Sequence, residues 1–214
     1  NFLSNTSPNN FYAIWNHTTK NMGFQYFSHD SEHTLLDVNA NRLGPFSAGV
    51  SDITRGNPQE ILQQLLYNAD FRTLVADRIH KYFFNNGVLT PAQNLARFNA
   101  RRDEINRAIV GESARWGDAR QEPAFTYVTW QAAIANVTNT FFPNRTNVMI
   151  NQFKTQSMGD GTVNFVMYPG TAAPEFVEQF GGIFNPGFVA HMTNSNGTGV
   201  LYYTLAGSDP RLPG

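Results

Sequence analysis

Asp30 and Glu32 fall within the run His29-Asp30-Ser31-Glu32-His33, and their carboxylates suit a hard divalent cation. Carboxylate oxygens with an amide oxygen beside them are the ligands that magnesium prefers, and an acid at such a position can hold the cation against a phosphate. What must position them is an aromatic hairpin. Phe11, Tyr12, Ile14 and Trp15 form the first apolar run, and Phe24, Tyr26 and Phe27 the second. Residues 18–23 supply a polar turn between them. Side chains alternate along a strand, so Phe24, Tyr26 and Ser28 share one face, while Gln25, Phe27 and His29 share the other. Asp30 is therefore expected where a buried strand runs out. The plain alternative is a solvated loop, because isolated D-x-E triplets carry little specificity.

The wording of the segment adds a resemblance. Asn9-Asn10-Phe11-Tyr12, followed by Phe24-Gln25-Tyr26-Phe27-Ser28-His29-Asp30-Ser31-Glu32-His33-Thr34-Leu35, resembles the second half of the kinase-like core of the spore coat protein H (CotH) family of atypical protein kinases. There an N-N-W-Y-like strand is followed by a strand ending in D-x-E-H-x-L. The resemblance implies that Asp30 matches the metal-binding aspartate, that Glu32 and His33 are supporting neighbours, and that Asn10 or Asn1 supplies an amide ligand. It also implies ATP and Mg2+ or Mn2+ as cofactors of an intact parent, a protein hydroxyl as acceptor, and a secreted or cell-envelope location.

A kinase needs a loop over the phosphates, a lysine on the nucleotide and an acid that orients the acceptor hydroxyl. None of these can be assigned here, so no catalytic residue is identifiable. In the family that acid sits in an N-x-D-like motif just upstream of the asparagine-rich stretch. The chain begins at Asn1-Phe2-Leu3 without methionine and reads as a fragment that binds neither cofactor tightly.

Composition excludes several classes. Hydrophobic residues make up 41% and aromatic residues 14% of the 214, enough to fill a core and too much for a disordered chain. A net charge of -1 gives no electrostatic footprint for nucleic acid. No apolar run approaches the ~20 residues that span a bilayer. Cysteine is absent, so disulfides and thiolate metal sites do not arise.

Downstream, residues 39–56 read as a long surface connection. Asn57-Pro58 then opens a helix over 59–68 with Ile61, Leu62, Leu65 and Leu66 on one face. Asp70 is the expected cap of a second helix over 71–84, which Asn85-Asn86-Gly87 stops. Thr90-Pro91 opens a third, long helix whose outer face carries Arg97, Arg101, Arg102, Asp103, Glu104 and Arg107. Alternating signs on a helix mark a solvated, salt-bridged face rather than a phosphate site. Two more helices, 129–142 and 144–153, are expected on either side of Pro143.

Ile109-Val-Gly-Glu-Ser-Ala-Arg-Trp-Gly-Asp118 resembles an A-I-x-x-E-S-A-R-W-G-D stretch found downstream of the core in planctomycete-type members of the family. Glu112 and Arg115 can pair three apart on a helix, Trp116 can anchor the helix end, and Gly117 can terminate it. This reads as structural rather than catalytic.

After Lys154 the pattern turns β-like, with Gly159-Asp160-Gly161 as a turn that lacks the acidic repeat of a calcium loop. From Tyr168-Pro169 through Tyr202-Tyr203-Thr204-Leu205-Ala206-Gly207-Ser208-Asp209-Pro210 the chain resembles the start of a chitobiase/β-hexosaminidase C-terminal-type module, with Ala206 where that family usually has aspartate. The resemblance implies an immunoglobulin-like sandwich, which needs ~100 residues and is here cut short.

The expected organisation is α+β: an N-terminal hairpin and helical kinase-like large lobe over 1–157, a linker at 158–167, and a truncated β-sandwich over 168–214. Two functions follow. The parent is a CotH-type kinase, or the chain is a non-catalytic structural or interaction module of a secreted or envelope protein, touching carbohydrate or envelope through its β part.

Overall fold

In a computed structural model the described residues are 10–19, 23–30, 34–44, 58–119 and 121–211. The chain is mixed α and β, and divides into two units, Asn1–Tyr168 and Pro169–Gly214.

The first unit opens with the expected hairpin. β1 (Phe11–Trp15) pairs antiparallel with β2 (Phe24–Ser28), in the register Phe11 to Ser28 and Trp15 to Phe24. The turn is tied by Asn16, whose Oδ1 accepts from the amides of Thr18 and Thr19 at 2.8 and 3.1 Å. Aromatic pairs cross the strands on one face, Phe11 with Tyr26 at 6.0 Å and Trp15 with Phe24 at 6.1 Å. The strands are not buried as expected: Tyr12, Ile14, Phe24 and Phe27 are all exposed.

Among the described residues five α-helices follow. α1 (Pro58–Leu65) buries Gln59 and Gln63 rather than a purely leucine stripe, and Leu65 points outward. Positions 59, 62, 63 and 66 share a face at helical spacing. Gln59 is tolerated there because its Nε2 donates to the Leu43 carbonyl at 3.1 Å. α2 (Ala69–Phe83) is capped by Asn68, not Asp70; the Asn68 Oδ1 accepts from Phe71 N at 3.0 Å. It stops where expected, with Asn85 and Asn86 at φ of 51° and 63°. A Cβ on Gly87 would lie 2.5 Å from the carbonyl oxygens of Lys81 and Tyr82, so the stop requires glycine.

α3 (Pro91–Trp116) carries its charged face outward, with Arg101 paired to Glu104 and Arg102 to Asp103. α4 (Tyr127–Asn136) starts at a reciprocal capping box between Thr126 and Thr129. Pro143 does not separate two helices. A π-turn, Val137–Phe141, joins α4 directly to α5 (Phe142–Thr155). Proline lacks an N–H and crowds the carbonyl four residues back, and the wider i to i−5 turn, seen in Phe142 N to Val137 O, accommodates it.

The core of this unit joins α1, α2, α5 and residues 158–168, with Leu66, Ile79, Phe153, Met158, Met167 and Tyr168 buried together. The expected linker at 158–167 is therefore packed structure. Met158 N donates to Phe165 O at 2.9 Å, while Met167 and Tyr168 both donate to Phe153 O. The expected turn holds inside it, since Asp160 Oδ1 accepts from Thr162 N and Val163 N. Residues 39–44 are likewise not a free connection. Gln152 donates to Asn39 O, Asn41 to Gln156, and just before the stretch Arg145 donates to Val38 O at 2.6 Å.

In the second unit β3 (Glu175–Phe176) pairs antiparallel with β4 (Met192–Thr193), the one ladder among its described residues. Glu178 clasps His191 through both its backbone amide and its ring. Asn196 ties Ala172 at 2.8 and 2.9 Å. No strand forms over 200–205, where the module resemblance leads one to expect it.

Candidate functional site

β1 and β2 bring Asn10 and Asp30 together at the open end of the hairpin, directly after the ladder ends at Phe11 and Ser28. One further bond, His29 N to Asn10 O at 3.2 Å, extends the pairing by a residue. Asp30 then turns into the left-handed region, at φ of 52°, a conformation its short polar side chain tolerates. The turn aims its carboxylate back across the hairpin. Asn10 Nδ2 donates to Asp30 Oδ2 at 3.0 Å and to the Asp30 carbonyl at 3.2 Å. Beside them the His29 ring stacks on Tyr12, with centroids 4.6 Å apart.

The pair is thus built by three features: antiparallel register, one residue at positive φ, and an asparagine one position before the first strand. Asp30 is exposed, so its carboxylate is not constrained by packing. Glu32, His33 and Asn1 lie outside the described residues. Among those described, no group of three His, Cys, Asp or Glu side chains converges as a metal site. Asn10 and Asp30 together offer one charged and one neutral oxygen donor, a set that suits a cation completing its shell with water and phosphate.

Two cavities in the helical part were not expected as cavities from the sequence. One, of about 420 Å3, is walled by apolar side chains of α1, α2 and α5, including Leu62, Val75, Ile79, Met149 and Phe153. The other, of about 370 Å3, lies between the end of α3 and the start of α4. The signal for this second one was present in the Glu-Ser-Ala-Arg-Trp-Gly run, whose residues 112, 113 and 116 fall on one helical face. The expected Glu112–Arg115 pair is not made; Arg115 instead lies over the Trp116 ring, 4.9 Å from its centroid. Trp116 is half exposed rather than pinned in a core.

His80 was also missed. Its Nδ1 lies 2.9 Å from the hydroxyl of Tyr168, and its ring stacks on Phe84 at 4.9 Å. Burial, with the charge of Asp77 adding to it, pushes the Tyr168 phenol up from its ordinary range.

Among the described residues no helix is long and apolar enough to cross a membrane. No protein-family model, curated protein or solved structure matches the chain.

Proposed function

We propose that this chain is part of an atypical protein kinase of the CotH type, in which Asp30 is a ligand of the Mg2+ or Mn2+ that bridges ATP. In this reading Asn10 supplies the amide oxygen and Glu32 and His33 lend support. The helices form part of a kinase-like large lobe, and the residues after Tyr168 begin an immunoglobulin-like module. The acceptor is a protein hydroxyl, and the setting is secreted or envelope-bound.

The observation that carries the reading is the hydrogen bond from Asn10 Nδ2 to the Asp30 carboxylate, made across the hairpin by residues 20 apart. Without a cation, an amide N–H2 is the natural positive partner for a carboxylate. Rotating that amide by half a turn replaces the donor with an acceptor oxygen and opens a place for a cation between two oxygens. Such a rotation is compatible with a half-buried side chain at the open end of a hairpin.

Phosphoryl transfer rests on positioning and on electrostatic stabilisation of the γ-phosphate. The 214 residues offer a metal ligand and no assignable lysine, covering loop or acid, so the chain alone transfers no phosphate. The test is Asp30→Asn in the intact protein. The expected outcome is loss of phosphoryl transfer with an unchanged melting temperature. Full activity in that variant would leave the non-catalytic module as the better reading.

A further inference from the structure

The cavity between α3 and α4 is lined by Trp116, Phe125 and Trp130, with Ile109, Glu112 and Ser113 on its α3 side and Ala133 on its α4 side. Its shape follows from the motif. Gly117 N donates to Ser113 O at 3.0 Å, and Gly117 O accepts from Phe125 N at 2.8 Å. A Cβ at this position would stand 2.2 Å from the Phe125 carbonyl oxygen. Glycine thus lets the returning chain press against the helix end, and Phe125 and Trp116 both line the cavity.

Three properties narrow what the cavity can hold. First, its aromatic rings are not spent on one another. Trp130 stacks on Tyr127, and no ring contact joins Trp116, Phe125 and Trp130. Second, its polar groups are few. The Thr126 and Thr129 hydroxyls are engaged in the capping box, which leaves Ser113 and the Glu112 carboxylate. A sugar, with hydroxyls around its ring, would leave most of them unsatisfied. Third, Glu112 has no hydrogen-bond or ion-pair partner among the described residues. The end of α3 adds the partial negative charge of a helix C-terminus. At about 370 Å3 the volume falls within the ~300–1,000 Å3 of small-molecule sites.

Aromatic faces around an unpaired carboxylate attract an organic cation whose alkyl groups pack on the rings while its charge meets both the ring quadrupoles and the acid. We propose that this cavity binds a small molecule bearing a trimethylammonium group, held between Trp116, Phe125 and Trp130 and neutralised by Glu112. Arg115 rests on the Trp116 ring, 4.9 Å from its centroid, and is not among the residues lining the cavity.

The test is titration of the full chain with choline chloride at constant ionic strength, followed by tryptophan emission in a Trp15→Phe background so that the signal comes from Trp116 and Trp130. A saturable change is expected. The neutral isostere 3,3-dimethyl-1-butanol should bind at least about tenfold more weakly, because it keeps the shape and loses the charge. Glu112→Gln, at an exposed position that leaves folding intact, should weaken choline by about tenfold. Trp116→Leu should abolish the saturable change in a variant whose circular dichroism is unaltered. Absence of saturation with choline would overturn the proposal. So would equal binding of the neutral isostere, unchanged affinity in Glu112→Gln, or binding of a methyl glucoside in place of choline.

Discussion

The Asn10–Asp30 bond is exposed, and this decides what its removal costs. Exposed polar contacts contribute little to stability, so Asp30→Asn should shift unfolding by no more than about 0.5 kcal/mol, measurable by urea titration. A larger loss would make Asp30 a folding residue. Two other carboxylates make a pH prediction. The Glu178 carboxyl is held below its usual value, first by the His191 backbone amide and then by its ring, and Asp209 is drawn down to about 2, first by the Arg211 side chain. Their folded values lie below the unfolded ones. Whatever stability they contribute is therefore present above the ordinary carboxylate range and lost as pH falls through the folded values. Carboxyl carbon shifts followed by NMR should place the Asp209 midpoint near 2 and that of Glu178 below the ordinary glutamate value, and ordinary midpoints for both would refute the two clasps. Of the residue-level features, the place of Asp30 at a strand end was readable from the hairpin pattern, and the structure sets Asn10 beside it. The clasp of Glu178 and His191 was not, because its partners are brought together by a strand pair of two residues that carries almost no alternation signal.

At the scale of elements, local chemistry was legible wherever a terminator acts alone. The Asn85-Asn86-Gly87 stop and the Thr90-Pro91 start both stand where side-chain type demands them. Competition was harder to read. Asn68 and Asp70 are both good caps two residues apart, and the structure selects Asn68, so Asn68→Ala should cost about 1 kcal/mol and Asp70→Ala distinctly less. Thermal melts of the two variants check the order. Pro143 misled for a different reason. A proline ends a helix in most sequences, but a π-turn absorbs its missing donor here, and nothing in the periodicity announces that turn. α1 shows the same limit from the opposite side: Gln59 and Gln63 are buried, and tertiary partners such as the Leu43 carbonyl that accepts from Gln59 cannot be read from the helix's own sequence.

For the whole molecule, the decisive difference lies at residues 158–168. Glycine and polar residues make the stretch look like a linker, yet Met158 and Met167 sit in the core beside Leu66 and Phe153. Met158 is fully buried, so Met158→Ala should destabilise the first unit by about 3 kcal/mol. A chain ended after Tyr168 should retain cooperative unfolding, whereas one ended after Ser157 should lose it. The α+β class and the order of hairpin and helices were legible because hydrophobic period carries them, whereas the tail holds one ladder of two residues a strand among its described residues. The core partner of the helices was not, since single buried methionines in an irregular segment leave no period. The proposed function requires that the hairpin end takes a metal. Addition of Mn2+ with ATP to the isotope-labelled chain, read as paramagnetic broadening of amide signals, tests this most directly. The account predicts selective broadening at Asn10, His29 and Asp30 that disappears in Asp30→Asn. Broadening elsewhere with none at the hairpin end, or broadening there that survives in Asp30→Asn, would contradict it.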